Sequence, residues 1–444
     1  MFLRLILFLL IFYVPEQDHL PQSLGIPGLN VFNVLFFIAL YAALQTPKLS
    51  MATAPLKGKL SFYFGMMGFA LLLGLIRTPH WVQDIILFKT LLFYAMLYFL
   101  FFRAVQDVRT LRYMVVAVAF TYGIMALEVI KEAFYFGFSP KMRLTGAFGL
   151  EKGNPNYAGA YFAVLIPVLA AFMMFYKDNA RVKMVATILY FMGMMAAFYT
   201  YSRQSYIAIL VTTSLLALRK GVGTILVIGF VVLNYAAWAP ESVVDRVEGT
   251  SEYNEETGEE ELEASADSRF VIWGAAWEVI LRNPLGIGYN QFKQEIDPYM
   301  PDWVDARDAH SSYFLIWAEA GWIGLFAFLG LLYGFCALGL RLYSVAKETD
   351  NHEATVLGLG FAISGLAVAM SNVTSSTFQS GEVMANYWIM AALVSRYAVL
   401  IEEGYRFGDE ERERGEEQDE LNRSKMHGMR PGKELPEPSH RFRK

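Results

Sequence analysis

Apolar stretches recur along the whole chain, separated by short polar breaks, at residues 2–14, 29–45, 60–76, 85–105, 111–130, 157–176, 184–200, 205–218, 222–238, 312–343, 352–370 and 383–401. A helix needs about 20 apolar residues to cross ~30 Å of hydrocarbon. The pattern therefore predicts an all-α, polytopic membrane bundle of about twelve helices. Basic residues mark alternate breaks: Lys48, Lys57 and Lys59; Arg103, Arg109 and Arg112; Lys177, Arg181 and Lys183; Arg219 and Lys220; Arg341 and Lys347. Short basic loops stay on the cytoplasmic side, which puts both termini inside and residues 131–156 and 239–311 outside. Arg77 and Arg203 are exceptions to the alternation. The opening MFLRLILFLLIFYVPEQ ends in Pro-Glu-Gln without a small-x-small cleavage site, so it reads as a retained, short first span.

Residues 239–311 form a large outer loop between the ninth and tenth predicted helices. Within it, Asp267 or Ser268 suits an N-cap, Phe270, Trp273, Trp277 and Ile280 recur at helical spacing, and Asn283-Pro284 with Gly286 stops the helix. Two tryptophans on one stripe suit a helix lying in the membrane interface or packed on the bundle. The acidic run at 248–263 lacks calcium-loop spacing and reads as a solvated loop. Residues 1–401 form the membrane domain. The tail, 402–444, is charged and poor in hydrophobic residues, which predicts a disordered cytoplasmic segment.

With 55% hydrophobic and 18% charged residues, the composition excludes a soluble enzyme, and the net charge of −5 gives no nucleic-acid footprint. The lone Cys336 rules out a disulfide within the chain and makes a cysteine metal site untenable.

The candidate chemistry lies in and beside the outer loops. Arg203 stands in a very short turn between two spans, where an arginine is costly unless it has a use. Arg269 falls where the loop helix begins, and a cation there opposes the helix dipole. Two planar guanidinium groups match phosphate oxygens and stay charged at neutral pH. His310 and Ser311 sit where the loop re-enters an apolar helix, and an imidazole with a pKa near ~6.5 can take a proton from a hydroxyl, orient it or bond a phosphate. Asp302, Asp305 and Asp308 precede it, with no second histidine or paired-acid motif to define a metal site.

Four segments together resemble the O-antigen ligase and polymerase superfamily of polytopic bacterial membrane glycosyltransferases. They are Gly153-Asn154-Pro155-Asn156-Tyr157-Ala158, Tyr201-Ser202-Arg203, Ser268-Arg269 leading through Trp273 to Asn283-Pro284-Leu285-Gly286-Ile287-Gly288-Tyr289, and His310-Ser311 with Gly321 and Gly324. The ligase-like core spans 153–340. The resemblance implies a GT-C-like helical fold in the bacterial inner membrane. It implies transfer of a glycan from undecaprenyl diphosphate to an acceptor hydroxyl, that of lipid A core first, at the periplasmic face, by an inverting reaction that uses no metal and no cofactor. Arg203 and Arg269 then carry over as diphosphate binders and His310 as the acceptor-activating or positioning residue, with Ser311 and Asn156 as further substrate contacts. The Arg-x10-Gly elements of many polymerases are missing from the long outer loops, which favours the ligase branch. Exopolysaccharide polymerases and protein O-oligosaccharyltransferases share the layout. A transporter or flippase shares the number of spans, but usually places its polar groups near the membrane midplane.

Overall fold

The computed structural model describes residues 2–428, apart from 18–19, 21–23, 25–29, 48–51, 78–79, 139–142, 149–153, 240, 242, 245–250, 255–258, 263, 302–303 and 305–307. Gly153, Asp302, Asp305 and the start of the acidic run thus lie outside the described residues. Every predicted apolar stretch coincides with a helix. The first nine are α1 (Phe2–Tyr13), α2 (Val31–Gln45), α3 (Lys57–Arg77), α4 (Trp81–Ala104), α5 (Val108–Phe136), α6 (Pro155–Phe175), α7 (Ala180–Tyr199), α8 (Arg203–Lys220) and α9 (Val222–Leu233). After the loop helix α10 (Ala264–Arg282) come α11 (Ser312–Glu348), α12 (His352–Ser371) and α13 (Gly381–Gly428).

Among the described residues, eight helices are long and apolar enough to cross a membrane: α3 to α7, α11, α12 and α13 over Gly381–Gly404. The expected count of twelve meets a limit of length. Helices α1 and α9 have 12 residues and α2 has 15, so at 1.5 Å per residue they reach only about 18 to 23 Å. Helix α8 is longer but carries Arg203, Arg219 and Lys220 at its ends. The buried centre comprises α6, α11, α12 and the start of α13. Small residues let these helices approach closely, since a Cβ on Gly339 would stand 2.2 Å from the Ala362 nitrogen.

The first helix is anchored at both ends. Arg4 donates from Nε to Thr110 Oγ1 at 2.9 Å, and beyond the other end Gln17 donates to Tyr94 OH at 2.9 Å and to Glu382 Oε1 at 2.8 Å. Helix α13 continues to Gly428, although low hydrophobicity predicts disorder from residue 402 onward. The glutamates and arginines that deprive that stretch of a core are also strong helix formers. In the acidic run, read from sequence as a solvated loop, Ser251–Asn254 pairs antiparallel with Glu259–Leu262, the only sheet among the described residues.

The loop helix departs from its sequence reading in register. It starts at Ala264, three residues before the expected cap, so Asp267 falls in its first turn and Arg269 beyond it. Its buried face is Ile272, Ala276, Val279 and Ile280, while Phe270 and Trp277 remain exposed. The segment that follows docks α10 on the bundle. Ile287 N donates to Ala318 O at 2.8 Å, Gly288 N to Glu319 O at 3.0 Å, Trp322 N to Pro284 O at 3.3 Å and Tyr289 N to Ala70 O at 2.9 Å. Helix α11 breaks at Gly321 (φ 67°, ψ −169°) to receive this loop. Gly286, at φ 94°, faces that break with no room for a side chain, because a Cβ would stand 2.3 Å from Glu319 O. Buried Asp84 completes the dock by accepting from Asn290 Nδ2 at 2.7 Å and Gln291 Nε2 at 3.1 Å.

Candidate functional site

The turn between α7 and α8 aims the first arginine. Tyr201 takes a left-handed conformation (φ 50°), and its hydroxyl donates to Phe138 O at 3.1 Å. Ser202 then takes the N-cap position of α8 without a side-chain capping bond, with Arg203 as the first helical residue. The dipole objection to a cation at a helix N-terminus, expected for Arg269, therefore applies to Arg203. An anion in front of that terminus would be favoured by the guanidinium charge and by the helix dipole alike.

Four other places in the chain, at Arg143, Asn156, Arg269 and Thr374, share a cleft with Arg203. Asn154 caps α6 by accepting from Asn156 N at 3.0 Å, which places Asn156 in the first turn. Asn156 Oδ1 accepts from Arg143 Nη2 at 2.9 Å. The loop that presents Arg143 is held by Glu132, whose Oε2 accepts from Thr145 N at 3.2 Å and Gly146 N at 2.8 Å. Gln204 donates to Asn156 O at 3.4 Å and accepts from Thr374 Oγ1 at 2.7 Å. Arg143, Asn156, Gln204 and Thr374 line one open cleft of about 60 Å³ together with Tyr201, Arg203 and Arg269. A single water needs only ~10–15 Å³, so the cleft admits a small oxyanion. Among the described residues its wall carries Arg143, Arg203 and Arg269 and no carboxylate. Three converging guanidinium groups offer paired donors to phosphate oxygens, and the neutral amides and hydroxyls between them add no repulsion.

Sequence reasoning named Arg203, Arg269 and Asn156, and all three are here. It missed Arg143, Gln204 and Thr374. Arg143 lies in a segment with no periodicity to mark it, and Thr374 comes from the turn after α12, far along the chain. Their only signal was polarity at the same predicted end of the bundle.

His310 is not part of that wall. It stands beside it, with φ 48°, in a loop pinned on both flanks. Trp273 Nε1 donates to Ala309 O at 2.9 Å, and Ser376 Oγ donates to Asp308 Oδ1 at 2.7 Å. After the histidine, Ser312 N donates to Asn372 O at 3.1 Å and Ser312 Oγ to Asn372 Oδ1 at 2.6 Å. Ser311 is buried at the head of α11, and its side chain does not cap the helix. Residues 372–376 thus serve two purposes, supplying Thr374 to the cleft and holding the histidine loop. Burial pushes the His310 pKa below the ordinary imidazole value; the Asp308 carboxylate pulls it back up, and the Arg269 charge adds to the lowering. A neutral imidazole beside an arginine-lined cleft can accept a proton from a hydroxyl while an anion is held nearby.

Residues 156–329 match the family model described as O-antigen ligase. Asn156, Arg203, Arg269, His310 and Ser311 fall inside the match, and Arg143 and Thr374 outside it. No curated protein matches the chain.

Proposed function

We propose, from the match of residues 156–329 to the O-antigen ligase family model, that the chain transfers a glycan from undecaprenyl diphosphate to an acceptor hydroxyl, that of lipid A core first, at the periplasmic face of the bacterial inner membrane. The observation that carries this reading is the cleft on which Arg143, Arg203 and Arg269 meet, with no carboxylate among its described lining residues. In this reading the guanidinium groups hold the donor diphosphate and stabilise the charge that develops as the anomeric C–O bond breaks. His310 takes the acceptor proton, the acceptor oxygen attacks the anomeric carbon from the opposite face, and the diphosphate leaves with both electrons of the broken bond. Transfer is inverting and needs no metal, because the arginines do the work a divalent cation does elsewhere. Alternating basic loops support a twelve-span topology with both termini cytoplasmic, the short helices crossing where neighbours shield them.

The test incubates purified protein with an undecaprenyl-diphosphate glycan and, separately, lipid A core, a protein acceptor and a second glycan donor, with and without chelator. Transfer to lipid A core that survives chelation supports the reading. Chain extension on the second donor alone would assign a polymerase. Loss on chelation, restored by magnesium or manganese, would move the chemistry to Asp302, Asp305 and Asp308.

A further inference from the structure

Asp308 is neither a free loop acid nor part of the arginine cleft. Its Oδ1 accepts from Ser376 at 2.7 Å, and its Oδ2 lies 3.8 Å from His310 Nδ1. That separation is within ion-pair reach and longer than a hydrogen bond. Contacts of this kind tighten when substrate closes a site. The residue between them is fixed as well, since Trp273 holds Ala309 O. The ring also feels the charge of Arg269, which opposes the effect of the Asp308 carboxylate. Two other titratable groups lie within electrostatic reach of Asp308, Tyr157 from α6 and Glu319 from α11.

We propose that Asp308 is a positioning residue for His310: Ser376 fixes the carboxylate, the carboxylate holds the proton on Nδ1, and Nε2 is left as the bare nitrogen that receives the acceptor proton. The inference rests on the reading of His310 as the base. A ring nitrogen's tautomer is set by the partner of the other nitrogen, and Asp308 is the acid that faces Nδ1.

The experiment follows transfer against pH for wild type, Asp308→Asn, Asp308→Glu and Ser376→Ala, and titrates His310 by NMR with labelled histidine, its signal assigned by its absence in His310→Ala. Asp308→Asn is expected to lower the plateau rate by ~10²-fold, the scale of a misplaced reacting group, at unchanged abundance. Because Asp308 raises the His310 pKa, the same change should move both the acid limb and the NMR titration to lower pH. Asp308→Glu should restore part of the rate, and Ser376→Ala should show a smaller loss in the same direction. On a His310→Ala background, Asp308→Asn should add nothing. An unshifted titration in Asp308→Asn, or an undiminished further loss on that background, would overturn the assignment. The titration needs no turnover, so an inactive wild type with the expected shift would sink the proposed reaction and leave the Asp308 pairing standing.

Discussion

Replacing Gly286 by alanine tests how the loop helix is joined to the bundle. At φ 94° an L residue is strained, and the new Cβ would stand 2.3 Å from Glu319 O and 2.7 Å from Gly321 N. Both neighbours are backbone, so no side chain can swing away. Left-handed strain costs roughly 1–2 kcal/mol and overpacking roughly 1–3 kcal/mol, which together predict a loss of about 2 to 5 kcal/mol. Relief requires the loop to lift, which breaks the bonds from Ile287 N to Ala318 O and from Gly288 N to Glu319 O. Those carbonyls belong to the first part of α11, the part that follows His310 and Ser311. Thermal unfolding in detergent should therefore shift down, and transfer should fall by more than the remaining folded fraction explains. Gly330→Ala is the matched control, because a Cβ there meets nothing within 4 Å; it should be neutral or slightly stabilising. A Gly286→Ala protein with wild-type melting and activity would refute the docking argument.

Lysine at Arg203, Arg269 or Arg143 keeps the charge but loses the planar fork, so each variant should lose more activity than abundance, measured by transfer per unit of folded protein. His310→Gln keeps hydrogen-bonding capacity without a usable base, and its turnover should drop ~10²- to 10⁴-fold; near-normal turnover would leave His310 an orienting group. Because burial depresses the His310 pKa, the basic imidazole persists below its ordinary value near ~6.5. Wild-type transfer should then be lost only as pH falls through that lowered pKa, and the limb should be missing from residual His310→Gln activity. Reporters fused after Ser265 should be active outside, and those after Lys220 or Gly415 inside; an inside signal at Ser265 would detach the site from the periplasm.

The helices were legible because burial in lipid or in the bundle writes long apolar runs, and their ends fell close to the predicted ones. Length was the quantity that hydropathy overstated in α9, which ends at Leu233 where the apolar run continues to residue 238. Arg203, Arg269 and His310 stood out because each is polar where the local pattern is apolar or regular. Arg143 carries no such contrast, since it lies in an irregular polar loop and gains meaning only when Asn156 comes within reach of its side chain. The register of α10 was misread because Ala264 to Ala266 extend a helix as readily as Asp267 caps one. Gly286 and Gly321 were visible as motif glycines, yet their reason is mutual: each leaves room for the other's backbone across a loop and a broken helix. The pairing of Asp308 with Ser376 joins residues 68 apart and leaves no local trace.

The most direct test of the central claim is the affinity of purified protein for undecaprenyl diphosphate and for undecaprenyl monophosphate, measured on wild type and on the Arg143→Lys, Arg203→Lys and Arg269→Lys variants. The account predicts tighter binding of the diphosphate by wild type and a collapse of that preference in the arginine variants, with the protein still folded. Equal affinity for the two lipids, unchanged by all three substitutions, would contradict it.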